Sequence, residues 1–259
     1  MTAPALECHR ISKVFGGVSA IDDVSLAVPC GSLCALIGPN GAGKTTLFNL
    51  ATNLFPPSCG EVRFFGQSAA NLALHEIAAL GVIRTFQTTR IFPGMTAFDN
   101  VMAGAHLHLR APVITQVLWT RGSRREERSC AQKADALLEI AGLAQFRDVA
   151  ATALPIGAQK LVEILRALMT KPRLLLLDEP AAGLNDRETA DLAVFLRAIC
   201  DAGTSIIVVE HNMSLVMGVA DQIFVLDAGR LIASGTPHEV QTNADVITAY
   251  LGRPAECAR

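Results

Sequence analysis

The feature that most restricts the fold of this chain is a glycine-rich loop that directly follows a short apolar segment. The loop reads GPNGAGKTT and follows the apolar run at 33–37. It fits the pattern G-x-x-x-x-G-K-[ST], which requires a strand before it and a helix after it. We therefore predict a strand–loop–helix unit whose loop binds a polyphosphate through Gly38, Pro39, Asn40, Gly41, Ala42, Gly43, Lys44, Thr45 and Thr46.

Each residue type in this loop has a physical reason to be there. Glycines let the backbone wrap closely, so that successive N–H groups and the helix N-terminus face the phosphates. Lys44 is expected to reach the β- and γ-phosphates, and the Thr45 hydroxyl is expected to ligate magnesium. The alternative is a glycine turn without a ligand, which the surrounding strand and helix signals disfavour.

A second motif places two acids at the end of an apolar run. Leu174–Leu177 is followed by Asp178 and Glu179. A buried strand that ends in acids puts carboxylates at the carboxyl edge of a parallel sheet, beside the phosphate loop. We expect Asp178 to hold the magnesium shell, and Glu179 to orient or deprotonate an attacking water. Because acidic residues often end strands, this motif alone is not specific. Together with the glycine loop, it indicates a phosphate and magnesium site.

The pattern of elements changes twice along the chain. The first third has strand signals, among them predicted strands at 6–14 and 24–28 separated by a turn at Gly16 and Gly17. Residues 91–169 have mainly helical periodicity, and the final third alternates strands with helices. This order predicts an α/β fold with a mainly parallel sheet covered by helices on both faces, an antiparallel β subdomain and an inserted helical subdomain. We expect one domain over 1–259, with its core in 1–90 and 170–259 and the helical subdomain in 91–169.

Composition narrows the function classes. Hydrophobic residues make up 51% of the chain, yet no apolar run approaches the roughly 20 residues that span a bilayer. The formal charge of −2 gives no basic field for nucleic acid, so we expect no nucleic-acid partner. The seven cysteines show no disulfide framework, and residues 1–7 show no signal peptide, so we expect a cytoplasmic protein.

The order of these elements resembles the ATP-binding cassette (ABC) family across nearly the whole chain. The resemblance implies that the polyphosphate is ATP, bound with magnesium, and that Phe15 stacks on adenine. It implies that Gln87 touches magnesium and relays movement to membrane subunits, and that His211 contacts the γ-phosphate. The expected catalytic residues are then Glu179, His211 and Gln87, and the expected metal ligands are Thr45, Gln87 and Asp178. Without the resemblance, a single Phe, Gln or His at these places would be uninformative.

Three segments, at 84–96, 178–185 and 210–217, look like the ATP-binding subunit of branched-chain amino acid importers. That group also includes importers of urea, amides and some aromatic acids. The resemblance implies membrane permease subunits as partners, and a second ATPase subunit in a homo- or heterodimer. A periplasmic solute-binding protein would act indirectly, and the chain would be peripheral on the inner face of the cell membrane.

The family's signature, a Ser-Gly-Gly-Gln type of sequence that begins a helix, is altered here. It would contact the partner's ATP through Leu154, Pro155, Ile156, Gly157 and Ala158, of which Leu154 and Gly157 match the general pattern. The altered signature leaves a non-hydrolysing regulatory subunit as an alternative, although Lys44 and Glu179 are intact. A nucleic-acid-associated ABC ATPase is a further alternative, but the chain has no long coiled coil, zinc insertion or second cassette.

Overall fold

The computed structural model describes residues 3–85, 90–108 and 121–251. Its strands are β1 Leu6–Phe15, β2 Val18–Val28, β3 Leu33–Ile37, β4 Cys59–Phe64, β5 Gln67–Ser68, β6 Val82–Arg84, β7 Leu174–Asp178, β8 Ser205–Val209, β9 Gln222–Asp227 and β10 Arg230–Gly235. Its α-helices are α1 Lys44–Ala51, α2 Leu74–Ala79, α3 Ala97–Ala103, α4 Arg121–Ile140, α5 Ile156–Met169, α6 Asp186–Asp201, α7 Met213–Val219, α8 Pro237–Gln241 and α9 Ala244–Leu251. Short 3-10 turns occupy Gly104–His108, Ala144–Phe146 and Ala151–Ala153.

The larger sheet has the strand order β10-β9-β3-β8-β7-β6. Strands β9, β3, β8, β7 and β6 run parallel, and β10 pairs with β9 in the antiparallel direction. Strands β3, β7 and β8 are buried along their whole length. Neighbouring residues point to opposite faces, so Leu36 packs in one core cluster while Ala35 and Ile37 pack in another. Burial on both faces explains the continuous apolar runs in the sequence, and the predicted α/β class with a mainly parallel sheet is confirmed.

A smaller antiparallel sheet with the order β2-β1-β4-β5 packs against α1 on one face of the larger sheet. Its first hairpin turns at Gly16 and Gly17, both with positive φ, as a two-residue turn requires. Strand β2 therefore begins at Val18, six residues before the apolar alternation that predicted a strand from Val24. Val18 and Ser19 at the beginning of β2 are exposed, and the regular alternation of buried and exposed residues starts only at Val24, so the hydrophobic pattern did not reveal the beginning of the strand.

The helical region has a core of its own. Helices α3, α4 and α5 share a cluster in which Ala134 and Leu138 of α4 are buried, as their helical spacing predicts. Leu161 and Phe195 contact this cluster and also the core beside the larger sheet. The two cores are thus continuous through α5, while the limits of the helical subdomain at 91 and 169 stay a prediction. None of the helices in the described part of the chain is long and apolar enough to span a membrane.

The contact between Gly104 and α5 provides a test of this packing. A Cβ at Gly104 would lie 2.0 Å from the Arg166 carbonyl oxygen, so we expect Gly104→Ala to lower the free energy of unfolding by about 1–3 kcal/mol. Gly218, inside α7, has no atom within 4 Å of its would-be Cβ and is the matched control. Gly218→Ala should be neutral or stabilise by up to about 1 kcal/mol. Urea denaturation measures both, and equal effects would contradict the close packing at Gly104.

Candidate active site

The parallel strands bring the predicted functional residues to one edge of the larger sheet. Strand β3 ends before Gly38, and β7 ends at Asp178. Strand β8 lies between them and is followed by Glu210 and His211. Strand β6, on the far side of β7, ends at Arg84. Because the carboxyl ends of parallel strands meet at one edge, residues distant in sequence form a continuous site there.

At two positions of the glycine loop, both the backbone conformation and the lack of space require glycine. Gly38 has a φ of 153°, and a Cβ there would lie 2.0 Å from the Leu226 carbonyl oxygen. Gly43 has a φ of 98°, and its Cβ would lie 2.8 Å from the Ala20 carbonyl oxygen. Gly43 is also the N-cap of α1 and provides no side-chain hydrogen bond, so the first backbone N–H groups of the helix face the loop. This arrangement is an anion cradle built from backbone groups.

Lys44 reaches back across this loop. Its Nζ donates hydrogen bonds to the carbonyl oxygens of Gly38 at 2.8 Å and Pro39 at 3.1 Å. Burial lowers the pKa of the Lys44 amine, while the nearby charges of Glu179 and Asp178 act in the opposite direction. The ammonium group thus lies between the loop and both acids. Thr45, the next residue, is exposed at the start of α1.

Asp178 is held by an arginine from the neighbouring strand. Arg84 Nη2 lies 3.0 Å from Asp178 Oδ2, and only 3% of the Asp178 side chain is exposed. Burial raises the pKa of Asp178, and the hydrogen bond from Arg84 partly lowers it again. Arg84 Nη1 also donates to Asn49 Oδ1 at 2.7 Å and to Thr52 Oγ1 at 3.1 Å, both at the end of the helix that starts at Lys44. One guanidinium therefore links the acid on β7 to α1.

Glu179 has an unusual backbone for a residue with a side chain. Its φ is 49°, in the left-handed region that glycine favours. The N–H of Glu179 donates to the Val209 carbonyl oxygen at 2.9 Å, which ties the residue to β8. Its own carbonyl oxygen accepts hydrogen bonds from Lys160 Nζ at 3.1 Å and from the Ala182 N–H at 3.2 Å. The backbone turn at Glu179 is thus held from both sides, and its side chain is half-buried.

Glu210 connects the turn that follows Glu179 to His211, the residue predicted to contact the γ-phosphate. It is completely buried, and its carboxylate accepts hydrogen bonds from the N–H groups of Ala181 at 2.6 Å, His211 at 3.1 Å and Asn212 at 3.3 Å. The side chain of His211 is exposed at the same sheet edge. A buried carboxylate with several N–H donors is well compensated, so Glu210 fixes the backbone on both sides of it.

Phe15 lies at the end of β1 on the smaller sheet, and 47% of the residue is exposed. Its ring packs edge-to-face against Phe55, with ring centroids 5.5 Å apart. Lys13 Nζ lies 5.4 Å from the Phe15 centroid. The structure therefore leaves much of the aromatic ring open to a planar group, as the predicted adenine contact requires.

The predicted signature residues start α5. Pro155 is its N-cap and Ile156 its first residue, and both are exposed, whereas Leu154 and Ala158 are buried. A Cβ at Gly157 would lie 2.8 Å from Glu188 Oε1, which is one reason for glycine at this position. Gln87, the remaining predicted site residue, lies outside the described residues.

Sequence reasoning assigned no role to Arg84, Lys160 or Glu210, although the structure places all of them at the site. Arg84 and Glu210 each stand at the carboxyl end of a strand, which is a signal that could have identified them. Lys160 has no such signal, because its contact depends on how α5 packs against the core.

Models of two protein families match this chain. Residues 21–182, more than half of the chain, match the ABC transporter family. This chain belongs to the ABC transporter family. Residues 230–256 match a second family, described as the branched-chain amino acid ATP-binding cassette transporter. Membership means that this ABC protein is an ATP-binding cassette ATPase, and it confirms the family resemblance seen in the motifs.

Individual relatives cover nearly the whole of this ABC protein. The high-affinity branched-chain amino acid transport ATP-binding protein BraF of Pseudomonas aeruginosa is 42% identical over 253 residues, which are 97% of this chain and 99% of the relative. The corresponding protein LivG of Escherichia coli is 39% identical with the same coverage. A crystal structure of the ADP conformation of an ATP-binding cassette of an ABC transporter is 31% identical, with a TM-score of 0.82 over 97% of this chain and 100% of that chain.

The ion pair between Arg84 and Asp178 generates a pH-dependent prediction. Arg84→Met should destabilise the fold by about 3 kcal/mol or more at neutral pH, because it leaves Asp178 as a buried charge without this partner. The pKa of Asp178 already lies above its ordinary value and should rise further in the variant. The loss in free energy of unfolding caused by Arg84→Met should therefore be largest at about pH 8 and should shrink toward about pH 5, as the Asp178 carboxyl takes up a proton.

Urea denaturation at both pH values measures this effect. Arg63→Met, which removes an exposed pair with Glu61, is the matched control and should change the free energy of unfolding far less than Arg84→Met at either pH. A cost of Arg84→Met that does not change with pH would show that Asp178 is not its source.

Proposed function

We propose that this ABC protein is the ATP-hydrolysing subunit of an importer for branched-chain or other hydrophobic amino acids. The observation that carries the proposal is the single sheet edge at which the glycine loop, Asp178, Glu179 and His211 meet. The proposed cargo is supported by two relatives, BraF and LivG, which are both named for branched-chain amino acid transport. The match of residues 230–256 to the family of the same description supports the same cargo.

The glycine loop fits a nucleoside triphosphate. Its backbone is open to anions at the start of α1, and the crowding around Gly38 and Gly43 leaves no room for side chains in the cradle. Phosphate oxygens carry more negative charge than the carbonyl oxygens that Lys44 now contacts, so its ammonium group would turn to them. The exposed ring of Phe15 would stack on the base.

The residues present also fit magnesium. Thr45 and Asp178 offer the oxygen ligands that magnesium prefers, with Gln87 as the third predicted ligand. Among the described residues, no group of three or more His, Cys, Asp or Glu side chains could form a metal site by itself. A site of few protein ligands suits magnesium, which is commonly bound by one or two carboxylates together with substrate phosphates. When bound, the ion neutralises charge that develops on the β- and γ-phosphate oxygens.

Hydrolysis would then depend on Glu179 and His211. Glu179 follows β7 in a left-handed backbone turn, and its carboxylate would accept a proton from a water placed in line with the γ-phosphate. His211, on the neighbouring strand end, would donate to a γ-phosphate oxygen. Arg84 would keep Asp178 ionised and oriented toward the metal.

Two partners complete the proposed complex. A second ATPase subunit would bring its glycine loop to the exposed N-terminus of α5, where Pro155 and Ile156 replace the usual signature residues. Gly157 and the helix end remain available to the partner's phosphate. Membrane permease subunits would dock in a groove of about 690 Å³ between the core and the helical region. Its lining includes the exposed apolar side chains of Phe92 and Met95.

This assembly gives the proposed location. The permease subunits would hold the chain as a peripheral protein on the inner face of the cell membrane. A periplasmic solute-binding protein would deliver the amino acid to the permeases without contacting this chain.

Replacing the loop lysine tests nucleotide binding and cargo together. Lys44→Ala should lower ATP affinity at least tenfold, because the loop loses its mobile cation, and should abolish leucine uptake by cells carrying the variant. Lys133→Ala, on the exposed surface of α4, is the matched control and should change neither. Unchanged ATP affinity would contradict the assignment of the loop as the ATP-binding site. Lost affinity with normal leucine uptake would contradict branched-chain amino acids as the cargo, and uptake of urea and amides would then be measured.

Replacing the catalytic acid tests the mechanism. Glu179→Gln keeps size and hydrogen bonding but cannot accept a proton, so kcat for ATP should fall by about a hundredfold or more while ATP still binds. The bound ATP should stabilise a dimer that light scattering detects. Glu127→Gln, on the exposed surface of α4, should hydrolyse ATP normally. Turnover of Glu179→Gln within a few-fold of the unmodified protein would exclude Glu179 as the base.

A further inference from the structure

Lys160 of α5 contacts the backbone turn at Glu179. It lies two residues after Ala158, the last of the predicted signature residues, and is half-buried. Its Nζ donates to the Glu179 carbonyl oxygen at 3.1 Å. The same carbonyl accepts the Ala182 N–H, so a side chain from α5 and a backbone group of the following turn share one acceptor. The contact therefore joins two segments that are 19 residues apart in the chain.

The surroundings of Lys160 are acidic. Burial lowers the pKa of its amine, and the charges of Glu210, Glu163 and Glu179 act in the opposite direction. Glu210 is completely buried and Glu163 nearly so. A buried carboxylate needs a nearby positive charge or several donors, and Glu210 has three backbone N–H groups together with the field of Lys160. The positive charge of Lys160 thus compensates the negative charge of Glu210, whose carboxylate holds the backbone N–H groups of Ala181 and His211.

The conformation that Lys160 holds is a costly one. A left-handed φ at a residue with a Cβ is disfavoured, and it persists only where the surrounding contacts enforce it. At Glu179 those contacts are the hydrogen bond of its N–H to β8 and the two hydrogen bonds to its carbonyl oxygen. The direction of the Glu179 side chain follows from this backbone turn, so losing Lys160 would loosen the carboxylate as well.

We propose that Lys160 is a positioning residue that sets the orientation of Glu179 according to the position of α5. The inference rests on the proposed function, since it assigns Glu179 as the base. The N-terminal residues of α5 are the ones expected to contact the partner's nucleotide. Lys160 follows those residues in the same helix, so a shift of α5 would change its hydrogen bond to the Glu179 carbonyl oxygen.

Steady-state ATP hydrolysis by the full-length chain in its complex with the membrane subunits tests this role. Lys160→Met has similar length but no donor, and it should lower kcat roughly tenfold or more with KM for ATP changed less than about twofold. Lys160→Arg restores the charge and the donors, and should recover kcat to within a few-fold. Lys133→Met, an exposed lysine on α4, is the matched control. An unchanged kcat, a change confined to KM, or no recovery by arginine would overturn the proposal.

Backbone hydrogen exchange of the isolated full-length chain gives a second measurement that does not depend on activity. Lys160→Met should speed exchange at Ala181, Ala182 and His211, whose N–H groups donate to Glu179 or Glu210. Unchanged exchange there would overturn the proposal, even if the unmodified protein proved inactive and the proposed function failed. If Lys160→Met does not fold, Lys160→Gln serves both measurements, because it stays polar but its side chain is shorter than that of lysine.

Discussion

The parallel pairing of β3, β8, β7 and β6 is the constraint on which the rest of the site depends. Strands β3, β7 and β8 are almost entirely apolar, and burial of both of their faces holds them side by side. Polar groups appear only where the strands end, and parallel strands all end at one edge. The glycine loop, the acids and His211 are therefore close together because the apolar strands that precede them pair side by side. A different strand order would leave the same residues far apart.

At that edge, much of the site is formed by backbone groups. The loop presents a row of N–H groups, and its path requires glycine at Gly38 and Gly43 because a Cβ would not fit there. The turn at Glu179 has a left-handed backbone conformation, which is unfavourable for a residue with a side chain. Charged side chains hold these backbone segments in place. Arg84 links Asp178 to the end of α1, and Glu210 accepts the N–H groups on either side of the site. Because these contacts are buried, water competes with them little.

Local sequence predicted those parts of the molecule that have a local cause. The glycine pattern identified the loop, and the apolar run Leu174–Leu177 identified β7 and its terminal acid, since strand burial and loop shape depend on adjacent residues. The family resemblance added Phe15 and His211, which single residues could not have revealed. The start of β2 at Val18 was missed because its first two residues are exposed and the regular alternation of buried and exposed residues starts only at Val24. Lys160 was missed because nothing near it in the chain marks its contact.

The sequence by itself thus determined that this chain has an α/β core with a polyphosphate loop and two acids at strand ends. Those features follow from hydrophobic period, glycine placement and residue chemistry within a few positions of one another. Only the tertiary structure decided which strand lies beside which, and hence that Arg84 pairs with Asp178 and that Glu210 spans the backbone from Ala181 to Asn212. It also decided that Lys160 reaches the turn at Glu179. The contacts of Arg84 with Asp178, of Glu210 with Ala181 and of Lys160 with Glu179 join residues 94, 29 and 19 positions apart, and their partners are set by the packing of whole helices and strands.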